Sequence, residues 1–414
     1  MANPLFKTLV TIKGNPRVCI YTEPLWGLSM NLCIPYASVY MLALGLRDSQ
    51  VGFVTTVYML SQMFFAFFAG PIVDKMGRRL STAVFDFISY CIPCLIWWRA
   101  VNFWFFFIAA ILNGVMKITQ ISWACLLVED AEKEQIPRIY SLVTVSGQFC
   151  AFFAPISSLL VSKLTLVPAV RILYINAFVL MTVKILTLYF LSRETHIGLI
   201  KQRETRGKNI FSLTSGYKGV FKLIFKSRGM VFSMSVLILF GVVSMINSTF
   251  WQVIVSKKLH VPDPLLPLFP IIKSILSIFF LFIIMPNISV DKLRIPLLAG
   301  FLCYIGGQAM LINVPVNGAA KYLLLSVSLI FDGFGAGALG ALSESLVAIN
   351  VEITERARIM AILHVMVTAV TAPFGWIGGL LSNMSRDFPF ILNLVLLSTG
   401  VLLTLNFFGR RKTV

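Results

Sequence analysis

Four charged residues lie inside the most apolar stretches of this 414-residue sequence. Lys117, Lys273 and Asp332 each fall well inside an apolar block, and Glu344 lies nearer the end of one. A charge in a hydrocarbon core costs about 2.5–3.5 kcal/mol, so it needs a water-filled cavity or an opposite charge. The chemistry that these residues offer is binding of a charged solute or proton uptake by a carboxylate. A purely structural ion pair of Lys117 or Lys273 with Asp332 is the alternative.

The apolar blocks dominate the composition. Hydrophobic residues make up 58% of the chain and charged residues 13%, about half the charged fraction of a soluble domain. A helix needs about 20 such residues to cross a hydrocarbon core of ~30 Å. Backbone groups in lipid must be satisfied internally, and no period-two alternation favours a barrel. We therefore predict an all-α polytopic membrane protein with twelve spans, at 19–45, 51–69, 82–98, 102–128, 141–161, 169–191, 230–255, 265–285, 297–313, 322–349, 360–381 and 389–408.

Basic residues are distributed unevenly over the loops between these spans. With the N-terminus inside, the inner loops and termini hold 24 of the 35 lysines and arginines, and the outer loops hold 7. Because cytoplasmic loops carry the excess of Lys and Arg, both termini are expected in the cytoplasm, in a protein of the plasma membrane. The net charge of +18 therefore reflects topology and does not indicate nucleic-acid binding.

One long polar segment, residues 192–229, divides the spans six and six. Its basic residues and scattered aromatics favour a cytoplasmic linker with an amphipathic portion at the lipid headgroups. Three landmarks of the first half recur in the second at offsets of 217 to 219 residues: Val73-Asp74-Lys75 at 290–292, Asn113-Gly114 as Asp332-Gly333, and Ala154-Pro155 as Ala372-Pro373. Internal repeats are typical of secondary transporters. We predict two pseudo-symmetric six-helix bundles, 1–191 and 230–414, joined by the linker 192–229.

The stretch GPIVDKMGRR, residues 70–79, places four charges between two apolar spans. It resembles the loop signature between the second and third helices of the major facilitator superfamily. Lys75 replaces the usual Arg of that signature, and Val73 replaces a small residue. The matching residues are Gly70, Ile72, Asp74, Gly77, Arg78 and Arg79. With the twelve spans and the long central loop, the resemblance covers the whole chain and implies the twelve-helix fold of that superfamily.

The loop itself has a physical rationale. Gly77 permits a tight turn, and Gly70 permits close approach of a neighbouring helix. Asp74 at the membrane edge needs a positive partner, either a nearby Arg or the N-terminus of another helix. The resemblance implies that such a contact joins the two halves when the protein opens outward. Conformational gating is therefore expected of Gly70, Asp74, Gly77, Arg78 and Arg79, and a simple topology anchor is the alternative.

The resemblance also implies that the first, fourth, seventh and tenth helices line a central cavity. Each of these spans carries polar residues along one helical face, and packing between helices is the alternative for the small ones. The expected binding or coupling residues are Asn113, Lys117 and Gln120 on the fourth span, Asn247 and Trp251 on the seventh, and Asp332 on the tenth. Lys273 joins them from the eighth span, and Glu344 lies on the tenth but off the Asp332 face.

Three other ionisable residues inside spans are interpreted as structural. Glu23 directly precedes Pro24 and favours a helix N-terminus, whereas Asp86 and Lys184 are expected to reach the headgroups from peripheral spans. The pair Cys91 and Cys94 has metal or redox spacing, but its position inside an apolar helix favours packing. No metal or other cofactor is expected.

These features together predict a secondary active transporter and not an enzyme. No Gly-x-x-x-x-Gly-Lys-Ser/Thr loop is present, which excludes an ATP-driven pump on this chain alone. The expected cargo is a small organic solute, anionic or amphipathic, moved by a monomer through alternating access. A proton is the expected coupling ion, with Asp332 as the first titrating carboxylate and Glu344 as the second. A flippase for lipids or lipid-linked precursors and a non-transporting receptor or assembly partner are the alternatives on the same scaffold.

Overall fold

The computed structural model describes residues 9–132, 135–209, 227–279, 293–318, 320–350 and 356–409. The side chains at 137, 148, 277–278, 344–345, 348–350 and 356–361 lie outside this description. All regular structure in the described residues is helical, which confirms the predicted all-α class. Helices satisfy their own backbone hydrogen bonds, as a chain in lipid requires.

The helices of the chain up to residue 209 follow one another with short breaks. They are α1 (Gly14–Cys33), α2 (Ala37–Ala43), α3 (Asp48–Met76), α4 (Arg78–Asp86), α5 (Ile92–Trp98), α6 (Phe103–Gly114), α7 (Met116–Val128), α8 (Ile136–Cys150), α9 (Ala154–Leu164), α10 (Leu166–Leu191) and α11 (His196–Thr205). A π-helical turn, Phe87–Cys91, connects α4 to α5. This turn places one extra residue in an otherwise continuous helix.

The helices from residue 227 onward complete the described fold. They are α12 (Arg228–Val253), α13 (Leu268–Phe279), α14 (Arg294–Ile312), α15 (Ala320–Asn350), α16 (Arg356–Thr371), α17 (Pro373–Met384) and α18 (Phe388–Gly409). A second π-helical turn, Ile254–Lys258, extends α12.

Within the described residues, ten helical segments are long and apolar enough to cross a membrane. They correspond to ten of the twelve predicted spans. The predicted span 19–45 is divided into α1 and α2 by a 3₁₀ turn around Pro35. The predicted span 265–285 is represented by α13, beyond which residues 280–292 lie outside the description. The helices are thus consistent with twelve spans.

The chain packs as two compact units. The first unit contains Met1–Tyr40 and Val57–Gly216, and the second contains Met41–Thr56 and Tyr217–Val414. The boundaries predicted from the sequence repeat, 191/192 and 229/230, stay a prediction.

The core of the first unit surrounds α1. Apolar side chains from α1, α7, α8 and α10 pack together there: Cys19, Ile20, Leu126, Leu127, Ile139, Leu142 and Leu188. This packing buries the middle of α1 inside the unit. Glu23 lies in that part of the helix and is only 7% exposed.

In the second unit, α14 and α15 approach each other to backbone contact. A Cβ atom on Gly335 would lie 2.6 Å from the Cβ of Tyr304, and one on Gly307 would lie 2.6 Å from Oδ1 of Asp332. Small residues permit such close approach between helices in membranes. The two glycines therefore set the distance between Asp332 and the side chains of α14.

Residues 48–56, the first turns of α3, lie against α17 in the second unit. A Cβ atom on Gly52 would come within 2.1 Å of the Gly375 carbonyl oxygen. Asp48 is buried there, pairs with Arg386 and accepts a hydrogen bond from Ser382 Oγ at 2.7 Å.

The turn between α3 and α4 is made by Gly77, whose φ is +89°. Side chains other than glycine rarely adopt this region, and a Cβ at this position would also lie 2.3 Å from Gln202 Nε2. A Cβ on Gly70 would meet no described atom within 4 Å, whereas one on Gly114 would come close to the Ser61 side chain. The close helix approach expected at Gly70 stays a prediction.

Candidate functional site

Among the charged residues of the second unit whose side chains are described, Asp332 is the most deeply buried, with 0% of its surface exposed. Its Oδ2 lies 3.7 Å from Nζ of Lys273 on α13, and the Lys273 side chain is 34% exposed. A buried carboxylate is tolerated only when an opposite charge and hydrogen bonds compensate it. Of the two lysines that the sequence offers as partners, the structure places Lys273 beside Asp332.

Two amide side chains donate to the same carboxylate. Gln308 Nε2 on α14 donates to Asp332 Oδ1 at 2.7 Å, and Asn247 Nδ2 on α12 donates to Asp332 Oδ2 at 3.2 Å. Asn247 Nδ2 also donates to the hydroxyl oxygen of Tyr304 at 2.8 Å. Both carboxylate oxygens therefore have donors from neighbouring helices.

The network extends to α18 through Asn393, whose Nδ2 donates to Gln308 Oε1 at 3.0 Å. The other amide atom, Asn393 Oδ1, is buried and has no hydrogen-bond partner among the described residues; the same holds for Trp251 Nε1. Buried polar atoms of this kind commonly mark places where a water molecule or a ligand bonds. The network thus joins five helices and retains capacity for further hydrogen bonds.

An aromatic wall flanks Lys273. Its Nζ lies 5.5 Å from the ring centroid of Trp251, within the range of a cation–π contact. Phe269 meets the same indole edge-on, at 5.2 Å between ring centroids. Lys273 therefore lies between a carboxylate and an aromatic ring, and about a third of its side chain is exposed.

The lysine of the first unit, Lys117, has a different environment. Its Nζ donates to Gln120 Oε1 at 2.9 Å, and no carboxylate in the described part of the chain forms an ion pair with it. Asn113 does not join them, because its Nδ2 donates to the Ser89 carbonyl oxygen at 2.7 Å. The structure brings together Lys117 and Gln120, whereas Asn113 fastens α6 to the π-helical turn.

Asp86 and Lys184 form a buried ion pair in the first unit. The two residues are 1% and 4% exposed, and Asp86 Oδ2 lies 3.6 Å from Lys184 Nζ. The expectation that they reach the headgroups is wrong, because α10 packs against α1 and α4 and buries Lys184 between them. Glu23 is also buried, at 7% exposure, and it lies inside α1, which begins at Gly14, so the helix N-terminus expected at Glu23 is found nine residues earlier.

Arg78 links the loop at residues 70–79 to the end of α7. The guanidinium lies 3.0 Å from Asp74 Oδ1 and binds Glu129 through Nε, at 3.1 Å from Oε2, and Nη2, at 3.1 Å from Oε1. Thr195 Oγ1 donates to the same Glu129 carboxylate. Arg78 is 4% exposed. Of the two partners considered for Asp74, the structure shows the nearby arginine.

Arg79 and the start of the linker complete this arrangement. The Glu194 carboxylate accepts the backbone N–H groups of Arg78 at 2.9 Å and Arg79 at 3.0 Å, which satisfies free donors at the N-terminus of α4. Arg79 Nε donates to the Tyr189 carbonyl oxygen at 2.7 Å. Gln202 on α11 donates to the Met76 carbonyl oxygen at 2.7 Å. Polar contacts therefore fasten α11 to this loop, and any amphipathic portion within 210–226 lies outside the described residues.

The sequence profile described as Major Facilitator Superfamily matches residues 25–318, more than half of the chain. The chain belongs to this superfamily.

Solved structures of other superfamily-like transporters are similar in fold to this chain. The nucleoside transporter NupG superposes with a TM-score of 0.73 at 14% identity, over 96% of this chain and 99% of NupG. A POT family transporter in complex with a thioalcohol-conjugated peptide gives 0.69 at 13% identity, over 96% of each chain. A bacterial homologue of the iron transporter ferroportin gives 0.70 at 10% identity, over 95% of this chain and 98% of that one. At these identities the likeness concerns the fold alone.

A short match joins the chain to the quinolone resistance protein NorA of Staphylococcus aureus. The two are 40% identical over 53 residues, which is 13% of this chain and 14% of NorA. The chain thus aligns with a small part of this curated relative.

Sequence reasoning missed three members of the polar network in this superfamily protein: Tyr304, Gln308 and Asn393. They lie on the ninth and twelfth spans, which the family resemblance does not assign to the cavity. A signal was available, because a buried amide without a partner is costly in an apolar span. Gln308 and Asn393 are both 0% exposed, and the criterion applied to the charged residues would have found them.

Two further predictions concern Glu344 and the cysteines. Glu344 lies on α15, but its side chain is outside the description. In the described ranges no group of three or more His, Cys, Asp and Glu residues could hold a metal ion. Cys91 and Cys94 are buried free thiols, and Cys91 Sγ lies 3.6 Å from Thr182 Oγ1.

Proposed function

We propose that this superfamily member is a monomeric secondary transporter of the plasma membrane that moves a small organic solute with an acidic group. Transport proceeds by alternating access and is coupled to protons, and both termini lie in the cytoplasm. The observation that carries the proposal is the partly exposed Lys273 beside the buried Asp332, at 3.7 Å.

Lys273 has one positive charge and two possible partners. While Asp332 is ionised, it neutralises Lys273. A proton on Asp332 removes that neutralisation, and the lysine then pairs with a carboxylate on the solute from its exposed side. Proton and solute each favour binding of the other, and this reciprocity is the coupling.

Release follows by the reverse competition. When Asp332 loses its proton, its carboxylate competes with the solute for Lys273, and the affinity for the solute falls. Trp251 and Phe269 offer apolar surface to the body of the solute. Lys117 of the first unit has Gln120 but no described carboxylate beside it, and we treat it as a separate candidate residue for binding an acidic solute.

The names of the similar proteins guide the choice of solutes for the test. The structural neighbours include a nucleoside transporter and a POT family transporter in complex with 5-aminolevulinic acid. The short match to a quinolone resistance protein supports the inclusion of amphipathic drugs among the solutes tested.

The test measures uptake into sealed proteoliposomes under an imposed pH gradient, for a panel of organic anions, amphipathic drugs and sugars. We expect the wild type to accumulate an anionic solute with the proton gradient. Asp332→Asn should abolish accumulation but retain gradient-independent exchange, because Lys273 stays free to bind. Lys273→Gln should weaken anion binding by about tenfold or more, since 1.4 kcal/mol corresponds to a factor of ten.

A second ion pair of the same unit provides a matched control. Lys258 and Asp387 lie 2.5 Å apart and are about a quarter exposed, and Asp387→Asn should leave coupling intact. Gradient-driven accumulation by Asp332→Asn at the wild-type level would contradict the assignment of Asp332. Accumulation of amphipathic drugs and not of anions would contradict the proposed acidic cargo and assign amphipathic drugs in its place. A folded wild type that moves none of the solutes would favour the flippase or the non-transporting alternative.

A further inference from the structure

Three hydrogen-bond donors of the first unit converge on the sulfur of one methionine. Tyr58 on α3 donates its hydroxyl to Met116 Sδ at 3.0 Å, and Gln62 on the same helix donates Nε2 at 3.8 Å. Tyr90 in the π-helical turn donates its hydroxyl to the same sulfur at 4.0 Å. We refer to these four residues as the Met116 cluster.

The acceptor that these donors share is a weak one. A thioether sulfur accepts hydrogen bonds poorly, whereas phenol and amide donors form shorter and stronger bonds to oxygen. In the second unit, Gln308 and Asn247 donate to the carboxylate of Asp332. The Met116 cluster has three donors of the same kinds directed at sulfur, so an incoming oxygen would bond to them more strongly than Met116 does.

The fold fixes the donors in place. Asn113 Nδ2 donates to the Ser89 carbonyl oxygen at 2.7 Å, which fastens the π-helical turn directly before Tyr90. Ser61 Oγ donates to a carbonyl oxygen of α6 at 2.7 Å, which holds α3 against α6 directly before Gln62. Groups that are positioned before a ligand arrives lose less entropy when it binds. Turns of the π type are also frequent at functional sites.

The Met116 cluster is accessible and lies against apolar side chains. Tyr58, Gln62 and Met116 are partly exposed, and Tyr90 is 7% exposed. Partly buried side chains of α1, α7 and α10 pack against the core that contains Tyr90: Trp26, Met30, Met116 and Phe178. Apolar walls with a few convergent polar groups are typical of sites for small organic molecules.

The charges of the cluster leave two kinds of oxygen open. All three donors are neutral groups, so they can bond to a neutral carbonyl oxygen or to a carboxylate. Lys117, which follows Met116 in the chain, bonds to the neutral Gln120 Oε1 at 2.9 Å and adds positive charge to this part of the unit. The chemistry common to both ligands is an acceptor oxygen on a trigonal carbon.

We propose that Tyr58, Gln62 and Tyr90 form a binding subsite of the first unit for the carbonyl or carboxylate oxygen of an organic solute with an apolar body. In the state described, the Met116 sulfur lies where this oxygen binds. Methionine has three rotatable bonds and adapts readily to its surroundings, so its side chain can move aside. The proposal does not rest on the proposed function, because binding is measured in protein that transports nothing.

The experiment measures binding by fluorine NMR to purified full-length protein in nanodiscs, with empty nanodiscs as the blank. The probes are para-fluorobenzamide, para-fluorobenzoate and para-fluorotoluene, which share a ring and differ in the acceptor. We expect the wild type to bind the amide, the carboxylate or both more tightly than the toluene, and their ratio tells the carbonyl from the carboxylate ligand. Tyr58→Phe and Tyr90→Phe keep the shape of the side chain but remove a donor, so each should weaken binding by about tenfold.

Substitutions of Met116 test the role of the sulfur. Met116→Gln brings an amide oxygen within reach of the three donors, so it should raise the melting temperature and abolish binding of the probes. Met116→Leu removes the weak acceptor and keeps an apolar side chain of similar size, so it should retain binding.

An exposed phenol supplies the matched control. Tyr21 on α1 donates to the Leu9 carbonyl oxygen at 3.2 Å and is 51% exposed, so Tyr21→Phe should leave binding unchanged.

The proposal is overturned if the wild type binds neither oxygen-bearing probe more tightly than para-fluorotoluene. It is also overturned if folded Tyr58→Phe and Tyr90→Phe bind as the wild type does. Weaker binding in Lys273→Gln but not in Tyr58→Phe would assign the probe to the pair of Lys273 and Asp332 and would equally overturn it. Should neither phenylalanine variant fold, Met116→Gln decides, since wild-type melting and wild-type binding in that variant contradict the subsite.

Discussion

Gln308 occupies the centre of the polar network in the second unit. Its Nε2 donates to Asp332 at 2.7 Å, and its Oε1 accepts from Asn393 at 3.0 Å. One side chain thus connects α15 and α18 to α14. Because the residue is 0% exposed, no bulk water can replace these partners if the amide is removed.

Substitution of Gln308 by Leu should therefore destabilise the protein. The change leaves Asp332 Oδ1 and Asn393 Nδ2 without their partners, at about 1–3 kcal/mol for each unsatisfied group. We expect a lower apparent melting temperature in detergent. Asn313→Leu, at the exposed end of the same helix, removes only a local bond to the Ala309 carbonyl oxygen and should melt as the wild type does. A Gln308→Leu protein at least as stable as the wild type would show that the network contributes no stability.

At the scale of single residues, the sequence predicted the charged members of the network and missed most of the neutral ones. Lys273 and Asp332 were identified because a charge in an apolar span is costly and conspicuous. Their pairing was one of two options, since distances between helices are not encoded in residue types. The prediction that Asp86 and Lys184 reach the headgroups is wrong for the same reason. Tertiary packing decides whether the face of α10 that carries Lys184 points into the unit or away from it.

Among the helices, α11 and the residues just before it are hydrogen-bonded to the loop between α3 and α4. Glu194 accepts hydrogen bonds from the backbone of Arg78 and Arg79, and its negative charge suits a helix N-terminus. Gln202 adds a contact to the end of α3. The beginning of the linker therefore acts as a brace for this loop.

Removal of the brace is testable with Glu194→Ala. The change takes away the N-terminal cap of α4, at a cost of about 1 kcal/mol, and loosens α11. Trypsin should then cleave at Lys201 and Arg203 several-fold faster, because proteolysis needs locally mobile chain. Glu204→Ala, on the exposed side of α11, should leave cleavage at Arg203 near the wild-type rate. Equal cleavage of Glu194→Ala and the wild type would argue that Gln202 and Thr195 suffice to hold the helix.

At the scale of the whole molecule, the charge distribution predicts the topology. From the excess of lysines and arginines on one set of loops, we expect residue 208 in the cytoplasm and residue 163 outside. Both residues are exposed in the structure, and five of the seven native cysteines are buried. Single introduced cysteines can therefore be labelled selectively.

Labelling of intact cells with a membrane-impermeant maleimide tests this orientation. Lys163→Cys should react directly, whereas Lys208→Cys should react only after the membrane is made permeable. The unsubstituted protein gives the background from Cys125 and Cys303, which are partly exposed. The opposite pattern would invert the topology and place both termini outside.

The architecture as a whole was predictable because it depends on the length and apolarity of blocks, which the sequence states directly. Ten of the twelve predicted spans correspond to apolar helices of sufficient length. The break of the first span around Pro35 and the π-helical turns were not predicted, because they alter hydrogen-bond register without altering composition.

The π-helical turn Phe87–Cys91 also has a consequence for engineering by deletion. Its hydrogen bonds reach one residue further than those of an α-helix, so the helix contains one residue more than regular winding requires. Deletion of a single codon in this turn would restore regular winding from Arg78 to Trp98. Because the wider turn already accommodates the extra residue, Asp86 would keep nearly its present rotation relative to the remainder of its span. The ion pair with Lys184 would therefore survive in a chain one residue shorter.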